Sequence, residues 1–192
     1  MSKLSHVFQS SYSLIESVNQ ELKSRNSLKN IMMVPKIKAI YLSVGAGKFF
    51  KNSADMEKIQ KSLSFIANQH AVLTTAKKSV AAFDVREGMK TGVKVTMRGK
   101  KMYEFIDRLK LIYLPRMRDF KGLSSKSFNG KSYSFGLKDS TLVFPEIIAK
   151  LNTYDFTFGM NITFVFNVAN NNLQKNVLES FGLPFEDSKA FE

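Results

Sequence analysis

The chain has 192 residues, of which 44% are hydrophobic and 17 are Phe, enough to fill the core of one large domain or two small ones. Its 29 Lys and Arg against 16 Asp and Glu give a net charge of +13, which favours a polyanionic partner, nucleic acid before an anionic membrane surface. The absence of Cys excludes disulfides, thiolate zinc sites and a Cys nucleophile, and no apolar run approaches the roughly 20 residues of a membrane helix.

The first predicted elements alternate between helix and strand. Apolar residues recur at helical spacing in residues 12–23 and predict an amphipathic helix. Pro35 then begins an extended segment, and the alternation in KIKAIYLSV predicts a strand that runs into a turn at Gly45 and Gly47. The run SADMEKIQKSLSFIANQ predicts a second helix with Ser53 as its N-cap.

The middle of the chain contains the clearest strand. TGVKVTMRG alternates strictly, so one face is apolar (Val93, Val95, Met97) and the other is polar (Lys94, Thr96, Arg98). The following run, KKMYEFIDRLKLIYLP, predicts a helix that stops at Pro115, with an apolar stripe formed by Met102, Phe105, Ile106, Leu109 and Ile112.

A long basic connection with interleaved aromatic residues follows, from Pro115 to Gly136. Extended runs are then expected around TLVF and in GMNITFVFNV, and a last helix is predicted from Asn171 or Asn172 to Gly182. This order predicts an α+β fold with a mainly antiparallel sheet and helices on one face. No linker divides it, so we expect one domain over 1–192, with an N-terminal helix region (1–30), a core (35–185) and a tail (186–192).

Catalytic patterns are weak throughout. VGAGKFF lacks the third glycine of a dinucleotide fingerprint and both ends of a P-loop, so a turn is the favoured interpretation of Gly45, Gly47 and Lys48. The two His residues form no metal or nucleophile pattern, and Glu104 has Arg108 four residues later, which favours a surface ion pair over an acid/base pair with Asp107. We therefore predict no enzyme activity, no cofactor and no metal.

The aromatic residues on the later strands have two interpretations. Exposed rings stack on bases, but most strand rings are core residues, and core is the favoured prediction here. The residues concerned are Phe156, Phe158, Phe164 and Phe166.

Residues 35–185 carry motifs of a known family. The segments VPKI, LTTAKKSVAAF, KVTMRG, MYEFIDRL, LPRMRDFKGLS, KSFNG, FPEI, GMNIT and GLPF resemble, in order and spacing, large-subunit ribosomal protein L-five of the bacterial or organellar type. The resemblance implies a structural protein of the central protuberance that binds 5S rRNA and adjoining large-subunit rRNA. It also implies contact with P-site tRNA and with a small-subunit protein across an intersubunit bridge.

The resemblance assigns the stretch of residues 75–83 to the tRNA. A loop there, with the strand TGVKVTMRG behind it, would place cationic and hydroxyl donors against a backbone without reading sequence. The expected tRNA-facing residues are Thr75, Lys77, Lys78, Ser79 and Phe83. The expected rRNA-binding residues are Lys36, Lys38, Lys94, Thr96, Arg98, Arg116, Arg118, Lys121 and Lys126.

Three segments depart from the family pattern. The family usually has Gly-Gln-Lys-Pro at residues 68–71, Gly-Phe-Lys at 82–84 and Arg-Gly-Met-Asp at 158–161, where this chain has NQHA, AFD and FGMN. Each difference removes loop flexibility or positive charge, which puts the loop conformation and some RNA contacts in question.

The compartment is predicted from weaker signals. Heavy use of Lys, Asn and Phe is typical of A+T-rich genomes, and the predicted first helix leaves little room for a cleaved presequence. These features favour a mitochondrial ribosome over a plastid or an A+T-rich bacterium. The alternative function is a free-standing, basic nucleic-acid-binding regulator, and the high charge also has a simpler interpretation as a solubility device.

Overall fold

Hydrophobic periodicity accounts for most helices and strands of the computed structural model, which describes residues 11–13, 15–26, 30–47, 52–117, 120–147 and 157–186. The helices are α1 Ile15–Arg25, α2 Ser53–Ala67, α3 Gly99–Arg108, α4 Leu114–Arg116, α5 Ser140–Val143 and α6 Asn171–Ser180. The strands are β1 Ile37–Gly45, β2 Val72–Thr75, β3 Lys90–Met97, β4 Phe128–Asn129, β5 Ser132–Leu137 and β6 Met160–Phe166.

The strands of the described residues form one six-stranded sheet in the order β2-β3-β1-β6-β5-β4. The pairs β2–β3 and β4–β5 are antiparallel, and Leu73 lies opposite Val93 in the first of them. The α+β class with an antiparallel sheet is therefore confirmed.

The chain divides into two compact units. One contains residues 41–97 and 136–162, and the other contains residues 1–40, 98–135 and 163–192, in each case as far as the structure describes them. Three of the four boundaries fall inside β1, β5 and β6, and the fourth follows the last residue of β3, so the expectation of a single domain stays a prediction.

In the first unit, α2 packs against β3. The apolar face of α2 is buried through Met56, Ile59, Leu63 and Ile66, and the apolar face of β3 through Val93, Val95 and Met97. The alternation predicted for β3 is thus confirmed. The N-cap of α2 is Asn52, whose side chain accepts a hydrogen bond from the Ala54 N–H, so the predicted Ser53 cap was wrong by one residue.

In the second unit, α1 contacts α6 and both bury one apolar face. Helix α6 ends as predicted, because Gly182 takes the left-handed conformation with φ 86°. Its N–H donates to Glu179 O, and the Leu183 N–H donates to Leu178 O, the bond pattern of a Schellman motif.

One predicted helix end was one residue early, and one predicted extended run was wrong. The helix that begins at Gly99 continues through a π-turn, Leu109–Tyr113, into α4 and ends at Arg116, one residue after the predicted stop at Pro115. The run TLVF is not extended, because residues 140–143 form the single helical turn α5. Ser140 anchors this turn by donating its hydroxyl to Phe158 O at 2.6 Å.

Candidate nucleic-acid interface

The connection between β2 and β3 is a braced loop, which we define as residues 76–89. Backbone bonds join Ala76 to Met89 and to Gly88 at its base, and Val80 to Val85 nearer its tip. The Ser79 hydroxyl oxygen accepts a hydrogen bond from the Glu87 N–H at 2.9 Å, which links the two sides of the loop. The loop therefore extends the hairpin outward as a continuous hydrogen-bonded structure.

Cations and one aromatic ring lie on the outside of this loop. The side chains of Thr75, Lys77, Lys78 and Ser79 are exposed. Phe83 closes a 3₁₀ turn, Ala81–Phe83, and its side chain is 73% exposed. An exposed ring offers a face for a nucleotide base, and the lysines beside it offer charge for phosphate. The predicted tRNA-facing residues are thus placed together.

Two of the three departures from the family pattern coincide with unusual backbone. Asn68 and Asp84 have φ values of 48° and 53°, and they are the positive-φ residues other than glycine in the described part of the chain. Asn and Asp tolerate the left-handed conformation better than other side chains do. The substituted segments therefore form tight turns at Asn68, where the family usually has glycine, and at Asp84, where it usually has lysine.

The polar face of β3 forms a second group of candidate residues. Lys94 and Arg98 are exposed and Thr96 is half-buried, while the alternating positions between them are buried. The side-chain amide of Gln69 donates to Thr96 O at 3.3 Å. The residues predicted on this face of β3 therefore share one side of the strand.

Lys36 and Lys38 lie at the start of β1 and are exposed. The Lys36 N–H donates to the Asn167 side chain at 2.8 Å, and the Asn167 N–H donates back to Lys36 O at 3.2 Å. This reciprocal pair of hydrogen bonds fixes the backbone at Lys36, immediately before the start of β1.

The basic connection is held through its backbone. Arg116, Lys121 and Lys126 are exposed, whereas Arg118 lies outside the described residues. The Leu123 N–H donates to Pro184 O at 2.8 Å, and the Glu186 N–H donates to Leu123 O at 3.1 Å. The motif KGLS is therefore joined to the segment that contains GLPF by backbone hydrogen bonds, although the two are about 60 residues apart in the sequence.

An aromatic cluster supports this connection. The Phe128 and Tyr133 ring centroids are 4.5 Å apart, and Phe185 lies within 6.0 Å of both. The Tyr133 hydroxyl donates to Ser124 O at 3.1 Å, and burial, together with the nearby Glu186 carboxylate, raises the pKa of Tyr133. Phe158, Phe164 and Phe166 are buried, which confirms the core prediction for them, while Phe156 lies outside the described residues.

Sequence analysis did not single out Arg86 and Lys90. Both are exposed, Arg86 in the braced loop and Lys90 at the first position of β3, opposite Thr75. Their basic character next to the predicted loop was the signal that could have identified them.

The described residues contain no arrangement that indicates catalysis. No group of three or more His, Cys, Asp or Glu among them could hold a metal ion, and none of their helices is long and apolar enough to cross a membrane. A cavity of ≈ 460 Å³ is lined by Gly45, Gly47, Lys138, Asp139, Thr157, Phe158 and Gly159. Its lining carries no His. Lys48, part of the predicted turn, lies outside the described residues.

The fold and the exposed cations define a class of protein, a basic α+β protein with candidate nucleic-acid-binding surfaces. Comparison with known proteins then gives the family. Residues 30–86 match the model described as ribosomal protein L5, and residues 90–185 match the model that describes the C-terminus of the same ribosomal family. The chain belongs to the ribosomal protein L5 family, which is structural and not enzymatic.

Bacterial relatives support this assignment over nearly the whole chain. A protein of Helicobacter hepaticus is 47% identical over 169 residues, covering 86% of this chain and 90% of the relative. One of Wolinella succinogenes is 46% identical over 187 residues (93% and 98%), and one of Acidobacterium capsulatum is 44% identical over 176 residues (91% and 94%). Each is named large ribosomal subunit protein uL5.

Proposed function

We propose that this chain is a structural constituent of the large ribosomal subunit that binds 5S rRNA and adjoining large-subunit rRNA in the central protuberance. We further propose that it contacts P-site tRNA through the braced loop and a small-subunit protein across an intersubunit bridge. The observation that carries the proposal is the braced loop, which presents Lys77, Lys78 and Phe83 to solvent on a hydrogen-bonded support.

The loop suits a ligand recognised by shape and charge. Lys77 and Lys78 would neutralise phosphates, and the ring of Phe83 would stack on an exposed base or ribose. Because Ser79 ties the two sides of the loop together, little conformational entropy would be lost when the loop meets RNA. The proposed action is positioning of tRNA without turnover.

The rRNA would be bound by the other exposed basic positions. We assign this role to Lys36, Lys38, Lys94, Thr96, Arg98, Arg116, Arg118, Lys121 and Lys126, of which Arg118 is assigned from the sequence alone. Phosphate contacts from such side chains fix register and orientation on an RNA and carry no base information. We therefore expect the rRNA fold, and not its sequence, to determine binding.

The compartment stays a proposal with two alternatives. Composition favoured a mitochondrial matrix ribosome, with a plastid or a bacterial cytoplasm as the alternative. The relatives reported above are bacterial at 44–47% identity, which supports the bacterial alternative.

The deciding experiment is crosslinking of the protein in intact ribosomes, followed by sequencing of the attached RNA. Crosslinks to 5S rRNA and adjoining large-subunit rRNA, with residues 77 and 78 reaching tRNA, are expected. A chain that leaves the large subunit after a moderate salt wash and crosslinks to other nucleic acids would instead be a free-standing regulator, and the ribosomal proposal would then be rejected.

A further inference from the structure

His70 lies in the turn between α2 and β2, and several hydrogen bonds hold the backbone of this turn. Asn68 takes the left-handed conformation with φ 48°. The Gln69 N–H donates to Ser64 O at 3.2 Å, and the Ala71 N–H donates to the Ser64 hydroxyl at 3.0 Å. The exposed side chain of His70 is therefore presented to solvent from a fixed backbone.

One amide on α2 determines which form of the His70 ring fits this turn. Gln60 Nε2 lies 2.8 Å from Ala71 O and 3.4 Å from His70 Nε2. An oxygen in this place would face a carbonyl oxygen, so the atom is the amide nitrogen, which has two N–H donors. One N–H donates to Ala71 O, and the other can donate to His70 Nε2 only if that ring atom carries no proton. The contact with Gln60 therefore selects the neutral ring with its proton on Nδ1.

Protonation of the ring breaks this contact. A proton on His70 Nε2 would place two N–H donors against each other, so one of the two side chains must turn away. Gln60 retains its acceptor, Ala71 O, because the turn fixes that backbone atom. The exposed ring of His70 is therefore the group that moves. Once protonated, it has a positive charge and two N–H donors that no longer face Gln60.

The turn runs beside the polar face of β3. Val72, two residues after His70, lies opposite Lys94 in the β2–β3 pairing. The side chain of Gln69, one residue before His70, donates to Thr96 O at 3.3 Å. Lys94 and Thr96 are two of the residues to which we assign rRNA contacts. His70 therefore lies along the same stretch of β3 as these proposed contacts.

The charged side chains on the neighbouring elements are mostly cations. On the part of α2 next to the turn they are Glu57 and Lys61, and on β3 and directly after it they are Lys94 and Arg98. Glu, Lys and Arg side chains ordinarily keep their charge between pH 5 and pH 8, whereas histidine ordinarily changes its charge in this range. A phosphate beside the ring would favour the protonated form, because opposite charges attract.

We propose that His70 is a further rRNA contact, which binds a phosphate when its ring has taken up a proton and has left Gln60. The inference rests on the proposed function and adds to it a dependence on pH. The hydrogen bond from a protonated ring to a phosphate oxygen is charge-assisted and stronger than one from a neutral ring. The affinity for rRNA therefore rises as the pH falls through the range in which histidine titrates.

The test measures binding of the full chain to rRNA extracted from the organism's own large subunits, at several salt concentrations, at about pH 5.5 and about pH 8. At the lower pH, the slope of log affinity against log salt should be steeper for the parent than for His70→Gln by about 0.7–0.9, the effect of one phosphate contact. At the higher pH the two slopes should agree. His70→Lys should keep the steeper slope at both pH values, and His6→Gln, the matched control, should behave as the parent.

The contact with Gln60 is tested on the free protein. Nitrogen-15 NMR of the His70 ring should show a proton on Nδ1 and none on Nε2 at about pH 8. Gln60→Glu places a carboxylate acceptor beside Nε2, so the ring should take up its proton at a higher pH, which loss of the bond to Ala71 O alone would not cause. A proton on Nε2 in the parent at about pH 8, or an unchanged titration in Gln60→Glu, would overturn the role of Gln60.

Two binding results would overturn the rRNA contact itself. Equal slopes for the parent and His70→Gln at both pH values would show that the protonated ring meets no phosphate. A slope for His70→Lys at the higher pH that is no steeper than that of the parent would show the same. In both cases the chain still binds rRNA, so the proposed function stands. If no variant binds rRNA at either pH, the proposed function fails, and the contact of His70 is rejected with it.

Discussion

Gly122 lies directly against the backbone of Glu186. A Cβ atom at Gly122 would be 2.6 Å from the Glu186 nitrogen and 2.8 Å from the carbonyl carbon of Phe185, and the glycine has φ +120°. The adjoining Leu123 exchanges backbone hydrogen bonds with Pro184 and Glu186. Gly122 of the basic connection and the backbone of Phe185 and Glu186 therefore approach each other closely enough to leave no room for a side chain.

Gly122→Ala should destabilise the protein by roughly 2–4 kcal/mol, because the added methyl meets backbone atoms that cannot move aside and the conformation is strained for any L side chain. Urea unfolding followed by circular dichroism measures this. Gly47→Ala is the matched control, since a Cβ there meets nothing within 4 Å, and its change should stay within about 0.5 kcal/mol. Equal stability of the two variants would contradict the proposed close approach.

Removing both loop lysines should weaken RNA binding in a salt-dependent manner. For Lys77→Ala with Lys78→Ala, the slope of log affinity against log salt should become shallower by about 1.5, since each phosphate contact contributes about 0.7–0.9 to it. Filter binding or fluorescence anisotropy with tRNA, at several salt concentrations, gives the slope. Lys61→Ala, an exposed lysine on α2, should leave it unchanged. An unaltered slope in the double variant would remove these lysines from the interface.

Phe83→Ala should reduce the affinity for tRNA by about 1–3 kcal/mol with the salt slope retained, because stacking and not charge is lost. Folding stability should not change, since the ring is 73% exposed. Phe83→Tyr keeps an aromatic face and should bind nearly as well. Loss of affinity in the Tyr variant equal to that in the Ala variant would argue against stacking.

Ser79 should determine how rigid the braced loop is. In Ser79→Ala the Glu87 N–H loses its acceptor, and amide hydrogen exchange at Glu87 should become roughly 2- to 10-fold faster, the effect of a typical hydrogen bond. Ser79→Thr retains the hydroxyl and should exchange at the parent rate. If exchange at Glu87 is the same in all three proteins, the hydroxyl does not brace the loop.

Alkaline pH should reveal the buried tyrosine. Because burial raises the pKa of Tyr133 above the ordinary value of 10.0, the folded state favours the protonated phenol. This contribution to stability is complete below the ordinary pKa and is lost as the pH rises from there toward the folded-state pKa. The urea midpoint should therefore fall progressively as the pH rises above about 10.

Tyr133→Phe provides the comparison for this decline. The variant should be less stable at neutral pH, where the hydrogen bond to Ser124 O is missing, but its midpoint should fall less steeply at high pH. Some decline should remain, because burial and the neighbouring Tyr12 also raise the pKa of Tyr103. Parallel curves for the two proteins would show that Tyr133 is not the group that titrates.

Local patterns were sufficient for much of the fold. The strict alternation of TGVKVTMRG predicted both faces of β3, and the Gly-x-Pro sequence after α6 predicted its end, because these features depend on neighbouring residues. The sequence motifs in residues 35–185 were likewise sufficient to identify the family. Clustered basic residues in the sequence also predicted the exposed cations on the braced loop and on β3.

Tertiary structure decided the features that depend on distant partners. TLVF forms the turn α5 and not a strand, because the Ser140 hydroxyl donates a hydrogen bond to Phe158 O. Ile112 is partly exposed and not part of the buried stripe, because the π-turn buries Tyr113 and Leu114 instead. Gly122 and Glu186 meet only when the chain folds back on itself. By itself the sequence determined the family, the charge and the regular elements, since these follow from composition and short-range periodicity. The bracing of the loop, the pairing of KGLS with GLPF and the exposure of Ile112 arise from contacts and packing that no short-range pattern encodes.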